Sequence, residues 1–133
     1  MSNSVDCGTE QAGAYPVVVR TRAHTFRADV DAESGSTDSA PSPHDYFDAA
    51  LASCKALTTM WYAKRHGIPL ERIESHVERD DSEERSGHYR LRVRLVFYGP
   101  LTDAQRKTLG QVADKCPLHK LMTSTQVEIA TEA

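Results

Sequence analysis

The sequence lacks an apolar run long enough to span a bilayer, and its first residues lack the pattern of a secretory signal peptide. It also lacks a basic excess, because 16 Lys and Arg residues are outnumbered by 19 Asp and Glu residues. A chain with a formal net charge of −3 has no positive surplus with which to neutralise phosphates. We therefore expect neither nucleic acid nor a membrane among its partners.

Cysteine is scarce as well, since the chain has only Cys7, Cys54 and Cys116. Three thiols so far apart cannot form the disulfide framework of a small secreted protein. A chain of 133 residues is also long enough to bury a hydrophobic core without crosslinks. These features predict a cytoplasmic protein whose thiols are either reactive or simply buried.

The longest regular pattern predicts a helix over residues 43–66. Ser42 is suited to cap this helix, Pro43 to open it, and Asp45 completes a Ser-x-x-Asp capping box. Gly67 is suited to end it. The residues that recur at the spacing of one buried helix face are Phe47, Ala50, Leu51, Cys54, Leu57, Thr58 and Trp61. At roughly 36 Å, such a helix would cross the whole domain.

Alternating apolar and polar residues predict strands on both sides of this helix. Residues 17–22 and 25–32 precede it, residues 73–79 and 89–98 follow it, and a last strand is predicted over residues 125–130. With a tight turn, the opposite pairs in the second hairpin are Glu78 with Arg90, His76 with Arg92, Glu74 with Arg94, Val77 with Leu91, and Ile73 with Leu95. This register makes the arginine face a solvated, ion-paired one.

A second helix begins after a Thr102-x-x-Gln105 capping box, and Pro117 ends it. Pro117 can also open a short third helix with Cys116 as its cap. At a helix cap the Cys116 thiol would meet unpaired N–H groups and the positive end of the helix dipole, which favours the thiolate. His119 lies three residues further on and could add positive charge or accept a proton.

Together these elements predict an α+β domain in which an antiparallel sheet wraps a long central helix, in the order strand–strand–helix–strand–strand–helix–strand. Residues 1–14 are expected to be a mobile tail and residues 15–133 a single domain. Nothing near Cys7 would orient it for a role. Because the helix separates the two pairs of strands, sheet edges are left exposed, and we expect a homodimer that covers them.

Taken alone, a cysteine such as Cys54 in the middle of an apolar helix face is typical of an inert small hydrophobe. A metal site built from Cys54, Cys116, His119 and His66 is a weaker alternative. The Cys-x-x-His spacing supplies only one tight pair of ligands, and no second pair matches it. No bound metal is therefore expected.

Two segments resemble the two cysteine motifs of the OsmC/Ohr family, namely APSPHDYFDAALASC at residues 40–54 and KCPLHK at residues 115–120. The segment WYAKRHG at residues 61–67 and the inferred order of the elements match this family as well. The resemblance covers almost the whole chain from Tyr15 onward. It implies the OsmC-like fold, assembled as an intertwined homodimer with active sites at the subunit interface.

The resemblance further implies a peroxidase that reduces organic hydroperoxides in the response to oxidative stress. By this analogy Cys54 is the peroxidatic thiolate, which becomes a sulfenic acid, and Cys116 is the resolving thiol that forms a disulfide with it. An external dithiol would then reduce the disulfide, so no bound cofactor is expected. The alternative is a non-catalytic OsmC-like module that binds a hydrophobic ligand at the dimer interface.

A thiol in the middle of a helix needs a nearby cation, because the helix dipole fades beyond the terminal turn. The resemblance implies an arginine from the N-terminal strands, held by an acidic residue. The candidates are Arg20, Arg22 and Arg27. Several family members have a glutamate directly after the proline of the first motif, where this chain has His44 followed by Asp45. Lys55 adjoins Cys54 in sequence but is turned about 100° away on the helix.

Overall fold

The computed structural model describes residues 3–133, and the chain divides into two compact units, one ending at Phe47 and the other beginning at Asp48. The strands and helices are, in chain order, β1 (Asp6–Thr9), β2 (Val17–Thr21), β3 (His24–Ala28), α1 (Pro43–Arg65), β4 (Arg72–Asp80), a short 3-10 helix (Glu84–Ser86), β5 (Arg90–Tyr98), α2 (Asp103–Asp114) and α3 (Pro117–Thr123). Antiparallel strands combined with three α-helices confirm the predicted α+β class.

The first unit contains a three-stranded antiparallel sheet in the order β1–β2–β3. The hairpin of β2 and β3 was predicted, whereas β1 lies within residues 1–14, where the sequence predicted a mobile tail. Pairing with β2, in a register that places Cys7 opposite Val19, supplies the order that the composition of this segment did not indicate.

Strand β3 ends at Ala28, four residues before the predicted end at residue 32. The cause is Asp29, which is buried and interrupts the alternation with a hydrogen-bonded loop. Its carboxylate accepts hydrogen bonds from the N–H of Val30 at 2.7 Å and from the N–H and hydroxyl of Ser39 at 2.9 and 2.7 Å. Hydrogen bonds from Ser36 and Ser39 hold the pKa of Asp29 well below its ordinary value.

Helix α1 begins at Pro43 as predicted and ends at Arg65, one residue early. The predicted capping box is present. The N–H of Asp45 donates to the Ser42 hydroxyl at 3.2 Å, and the N–H of Ser42 donates to the Asp45 carboxylate at 2.9 Å. The chain leaves the helix through Gly67, which has a φ of +64° and lies in the left-handed region that glycine adopts without strain.

The buried face of α1 differs from the predicted one. The fully buried residues recur at intervals of four and are Leu51, Lys55, Thr59 and Ala63. Of the predicted stripe, only Leu51 is buried, while Phe47, Leu57 and Trp61 are 44%, 69% and 56% exposed. Apolar residues occur around most of this helix, so their spacing could not show which face the rest of one chain covers.

Ala63 on α1, Leu70 after it and Leu109 on α2 form the buried core of the second unit. The partly buried residues packed against this cluster are Met60, Tyr62, Ile68, Ile73, Phe97 and Leu101. The core therefore lies between α1, α2 and the ends of β4 and β5 that are farthest from their connecting turn.

The hairpin of β4 and β5 has the predicted faces but a register shifted by two residues. The observed pairs include Glu78 with Arg92, His76 with Arg94, Val77 with Val93, and Ile73 with Phe97. The connection is not tight, because it contains the 3-10 helix Glu84–Ser86 and Gly87 with a φ of 97°. A shift of two residues keeps every side chain on its face. The polar face of β5 carries Arg90, Arg92 and Arg94. Of these three, Arg90 forms an ion pair among the described residues, with the Glu83 carboxylate at 3.1 Å.

Helix α2 begins with the predicted capping box between Thr102 and Gln105, and α3 begins at Pro117 with Cys116 at its N-cap. The predicted strand over residues 125–130 is wrong, since residues 125–133 form neither helix nor strand. A strand needs a partner edge, and none of the described strands pairs with this segment, which leaves Ile129 85% exposed. No helix among residues 3–133 combines the length and apolarity needed to cross a bilayer.

Candidate thiol site

Cys116 occupies the junction between α2 and α3. Its backbone is extended, with φ −62° and ψ 144°, because the following Pro117 excludes helical geometry and opens the next helix. The Cys116 side chain is completely buried. It makes no capping hydrogen bond to α3, yet the N–H of His119 lies close enough to favour its thiolate. The sequence thus places one thiol at a fixed position inside the second unit.

Cys54 lies near the middle of α1, and its thiol neighbours that of Cys116. The Cys54 side chain is half-buried, and its sulfur lies 3.9 Å from the Thr58 hydroxyl. Burial raises the pKa of the Cys116 thiol, and a hydrogen bond with the Cys54 side chain adds to the increase. The two cysteines singled out from the sequence are therefore brought together, one partly accessible and the other enclosed.

Lys55 provides a buried cation beside this pair of thiols. Its side chain is 2% exposed. The ammonium group donates a hydrogen bond to the carbonyl of Ala113 at 3.0 Å and lies 2.9 Å from Nδ1 of His119. The positive charge of Lys55 lowers the pKa of Cys116 and so opposes the effect of burial.

Lys55 was not predicted as a site residue, because its sequence neighbour Cys54 lies on a different side of the helix. The side of the helix that carries Lys55 faces the junction of α2 and α3, where Cys116 and His119 lie. The sequence held no signal that would have found it, because the spacing of apolar residues could not show that Leu51, Lys55 and Thr59 lie on the buried face.

The other predicted site residues lie in the first unit. His44 and Asp45 occupy the first turn of α1, where Asp45 serves the capping box. Arg22 occupies the turn between β2 and β3 with a φ of 51°. Arg27 on β3 forms an ion pair with Glu10 at 2.6 Å. The role of each in supporting the thiols stays a prediction.

Another arginine–carboxylate pair, between Arg79 and Asp48, was not anticipated from the sequence. Nε of Arg79 on β4 donates to the Asp48 carboxylate on α1 at 2.7 Å, and the Tyr89 hydroxyl donates to its other oxygen at 2.7 Å. Burial and the hydrogen bond with Asp48 raise the pKa of Tyr89 to about 12. This network attaches α1 to the hairpin.

The described residues contain no group of three or more His, Cys, Asp or Glu side chains arranged to hold a metal ion. The arrangement of two thiols, an ammonium and an imidazole is instead suited to thiol–disulfide chemistry, since a neighbouring cation is what stabilises a thiolate.

Comparison with known proteins identifies the family. The OsmC-like protein family matches residues 35–132, which include both cysteines of the site. No curated protein matches the sequence.

Solved structures of low sequence identity share the fold. An OsmC-like protein from Mycoplasma pneumoniae has a TM-score of 0.74 at 15% identity, covering 93% of this chain and 89% of that one. An OsmC-like protein of unknown function from Vibrio cholerae has a TM-score of 0.67 at 16% identity, with coverage of 91% and 94%. The organic hydroperoxide resistance protein OhrB of Bacillus subtilis has a TM-score of 0.59 at 21% identity, with coverage of 91% and 91%. On the family match and the shared fold, the chain belongs to the OsmC-like protein family.

Proposed function

We propose that this protein is a thiol-dependent peroxidase that reduces organic hydroperoxides with Cys54 and Cys116 as its redox pair. The observation that carries the proposal is the proximity of a half-buried thiol, Cys54, to a completely buried one, Cys116. A peroxidase of this type needs one sulfur that the substrate can reach and a second that waits beside it. The Bacillus subtilis relative named for organic hydroperoxide resistance adds support at the level of the family.

In the first step the thiolate of Cys54 attacks the distal oxygen of the hydroperoxide. The S–O bond forms as the O–O bond breaks, and the alkoxide leaves and takes up a proton to become the alcohol. Cys54 is thereby oxidised to a sulfenic acid, and the hydroperoxide is reduced by two electrons. We assign this step to Cys54 rather than Cys116 because Cys54 is the more exposed of the two thiols.

In the second step the sulfur of Cys116 attacks the sulfur of the Cys54 sulfenic acid. The S–S bond forms as the S–O bond breaks, and the hydroxide leaves as water with the thiol proton of Cys116. An external dithiol then supplies two electrons through thiol–disulfide exchange and restores both thiols. The cycle needs no bound cofactor, and reducing thiols of this kind are available in the cytoplasm, where we place the protein.

We also propose that the protein works as a homodimer. Leu57 and Trp61 lie one turn apart on α1, and both are more than half exposed in the single chain, at 69% and 56%. A second copy that covers this face would bury the apolar stripe of which Cys54 forms part, and would give an organic peroxide an apolar surface to bind.

One observation favours the alternative, a non-catalytic module that binds a hydrophobic ligand. The complete burial of Cys116 and the increase in its pKa are typical of an inert structural thiol. In that case the two cysteines would line a pocket without reacting.

Thiol counting after one equivalent of tert-butyl hydroperoxide, compared with hydrogen peroxide, separates the two functions. We expect the alkyl compound to react faster, two thiols per chain to be lost, and peptide mapping to link Cys54 to Cys116. Cys54→Ser should abolish peroxide consumption, Cys116→Ser should stop after one equivalent with a trapped sulfenic acid, and Cys7→Ser should behave as the wild type. Absence of peroxide consumption by the reduced wild-type protein would overturn the peroxidase proposal and favour the non-catalytic alternative.

A further inference from the structure

Lys55 is an unusual residue for the interior of a small domain. Its side chain is only 2% exposed, and the ion pairs formed by residues 3–133 do not include it. The two groups that its ammonium contacts, the Ala113 carbonyl and Nδ1 of His119, are uncharged acceptors in this arrangement. Burying a cation without an anionic partner is unfavourable, so such a residue needs a reason to be kept inside.

The ionisable groups around this ammonium come from each element that meets it. Cys54 adjoins Lys55 on α1, Cys116 lies at the junction of α2 and α3, and His119 projects from α3, while α2 contributes the Ala113 carbonyl. An ammonium can only donate hydrogen bonds, and neither the Ala113 carbonyl nor the His119 ring carries a negative charge. The thiols are therefore the groups that can provide the missing negative charge.

We infer that Lys55, held in place by the Ala113 carbonyl and the His119 ring, is a positioning residue that stabilises the thiolate of Cys116. The part that Lys55 plays in turnover rests on the proposed function. The ammonium acts before Cys116 attacks the Cys54 sulfenic acid, because it increases the fraction of Cys116 that is present as the nucleophilic thiolate. It acts again when the external dithiol breaks the disulfide and Cys116 leaves as a thiolate. Lys55 acts in both steps through its charge.

The pKa of Cys116 in the absence of peroxide tests this role directly. The protein for this measurement carries Cys7→Ser and Cys54→Ser, so that the Cβ carbon shift of Cys116 reports a single thiol. Replacing Lys55 by Met should raise the pKa of Cys116 by about one unit or more, since a neighbouring opposite charge lowers a pKa by about 1 to 3 units. Lys55→Arg should keep most of the effect.

Two further variants make the titration decisive. Lys64→Met removes an exposed lysine from the same helix and should leave the pKa of Cys116 unchanged. His119→Gln loosens the ammonium without removing it and should raise the pKa by a smaller amount, which also serves if the Lys55→Met protein does not fold. Equal pKa values for Cys116 in the wild-type, Lys55→Met and His119→Gln proteins would overturn the inference.

The kinetics of disulfide formation give a second test, in protein that retains Cys54 and Cys116. A pKa of Cys116 that is higher by about one unit lowers the thiolate population about tenfold below the pKa. The more basic thiolate is also more nucleophilic, so disulfide formation is slowed only about three- to fourfold. The deficit should disappear as the pH rises above the pKa of Cys116, whereas a merely distorted site would be slow at every pH. A deficit that does not vary with pH would overturn the inference. If the wild type reduces no hydroperoxide, the proposed function fails, while the titration of Cys116 still decides the role of Lys55.

Discussion

At the scale of single residues, Ser75 stands out because its hydroxyl is buried in the hairpin with no hydrogen-bond partner among the described residues. A buried hydroxyl loses its hydrogen bonds to water and gains nothing in return, which costs stability. We expect Ser75→Ala to leave the free energy of unfolding unchanged or to increase it by up to about 1 kcal/mol, as measured by urea denaturation.

Ser39→Ala is the matched control, because the Ser39 hydroxyl donates to the Asp29 carboxylate at 2.7 Å. The same change of side chain should destabilise the protein there, since it removes a hydrogen bond that is actually made. A loss of more than about 1 kcal/mol in Ser75→Ala would mean that the hydroxyl has a partner after all.

The site residues that could be found from sequence are those whose local surroundings are distinctive. Cys116 precedes a helix-opening proline, and Cys54 lies in a motif of many matching residues, so both were identified. Lys55 was not, because its partners Ala113 and His119 lie 58 and 64 positions away, and only folding brings them together. Local patterns show what a residue can do, but not which distant groups it meets.

At the scale of secondary structure, hydrogen bonds among Asp48, Arg79 and Tyr89 join α1 to the hairpin. Because of this junction, the free energy of unfolding should vary with pH in the alkaline range. The pKa of Tyr89 rises from 10.0 to about 12. The folded protein therefore keeps the phenolic proton at pH values where the unfolded chain releases it. The contribution to stability is fully present below pH 10 and is lost as the pH rises through about 12.

Tyr89→Phe should remove this pH dependence. At neutral pH the variant should be less stable than the wild type by about 1 kcal/mol, because the hydrogen bond to Asp48 is missing. Urea denaturation at a series of pH values should show the two proteins converging between pH 10 and 12. Parallel curves over that range would mean that Tyr89 ionises equally in both states.

The elements that were predicted accurately are those whose positions depend on residues close together in the sequence. The starts of α1 and α2 were predicted to the residue, because capping boxes involve four consecutive positions. The register of β4 and β5 was displaced by two residues, because it depends on a turn whose 3-10 helix the sequence did not reveal. The strand over residues 125–130 was predicted from alternation alone and is absent, since alternation does not provide a partner.

At the scale of the whole molecule, the exposed apolar face of α1 bears on the proposed homodimer. Leu57 and Trp61 are exposed in the single chain, and the Arg65 guanidinium lies 4.8 Å from the centre of the Trp61 ring. Tryptophan and arginine are both enriched in protein–protein interfaces. The sequence predicted these side chains to be buried, and a second copy of the chain would make that so.

Trp61 is the single tryptophan of the sequence, so its fluorescence reports this face without ambiguity. We expect its emission to shift to shorter wavelength as the protein concentration increases, in parallel with a monomer-to-dimer transition in sedimentation velocity. Leu57→Asp should weaken the dimer by at least about tenfold, since a buried carboxylate would be left unpaired. Lys64→Asp introduces the same side chain at an exposed position of the helix and should change the dissociation constant much less. A wild-type protein that sediments as a monomer at every concentration would contradict the dimer, and the substrate would then have to bind the α1 face of a single chain.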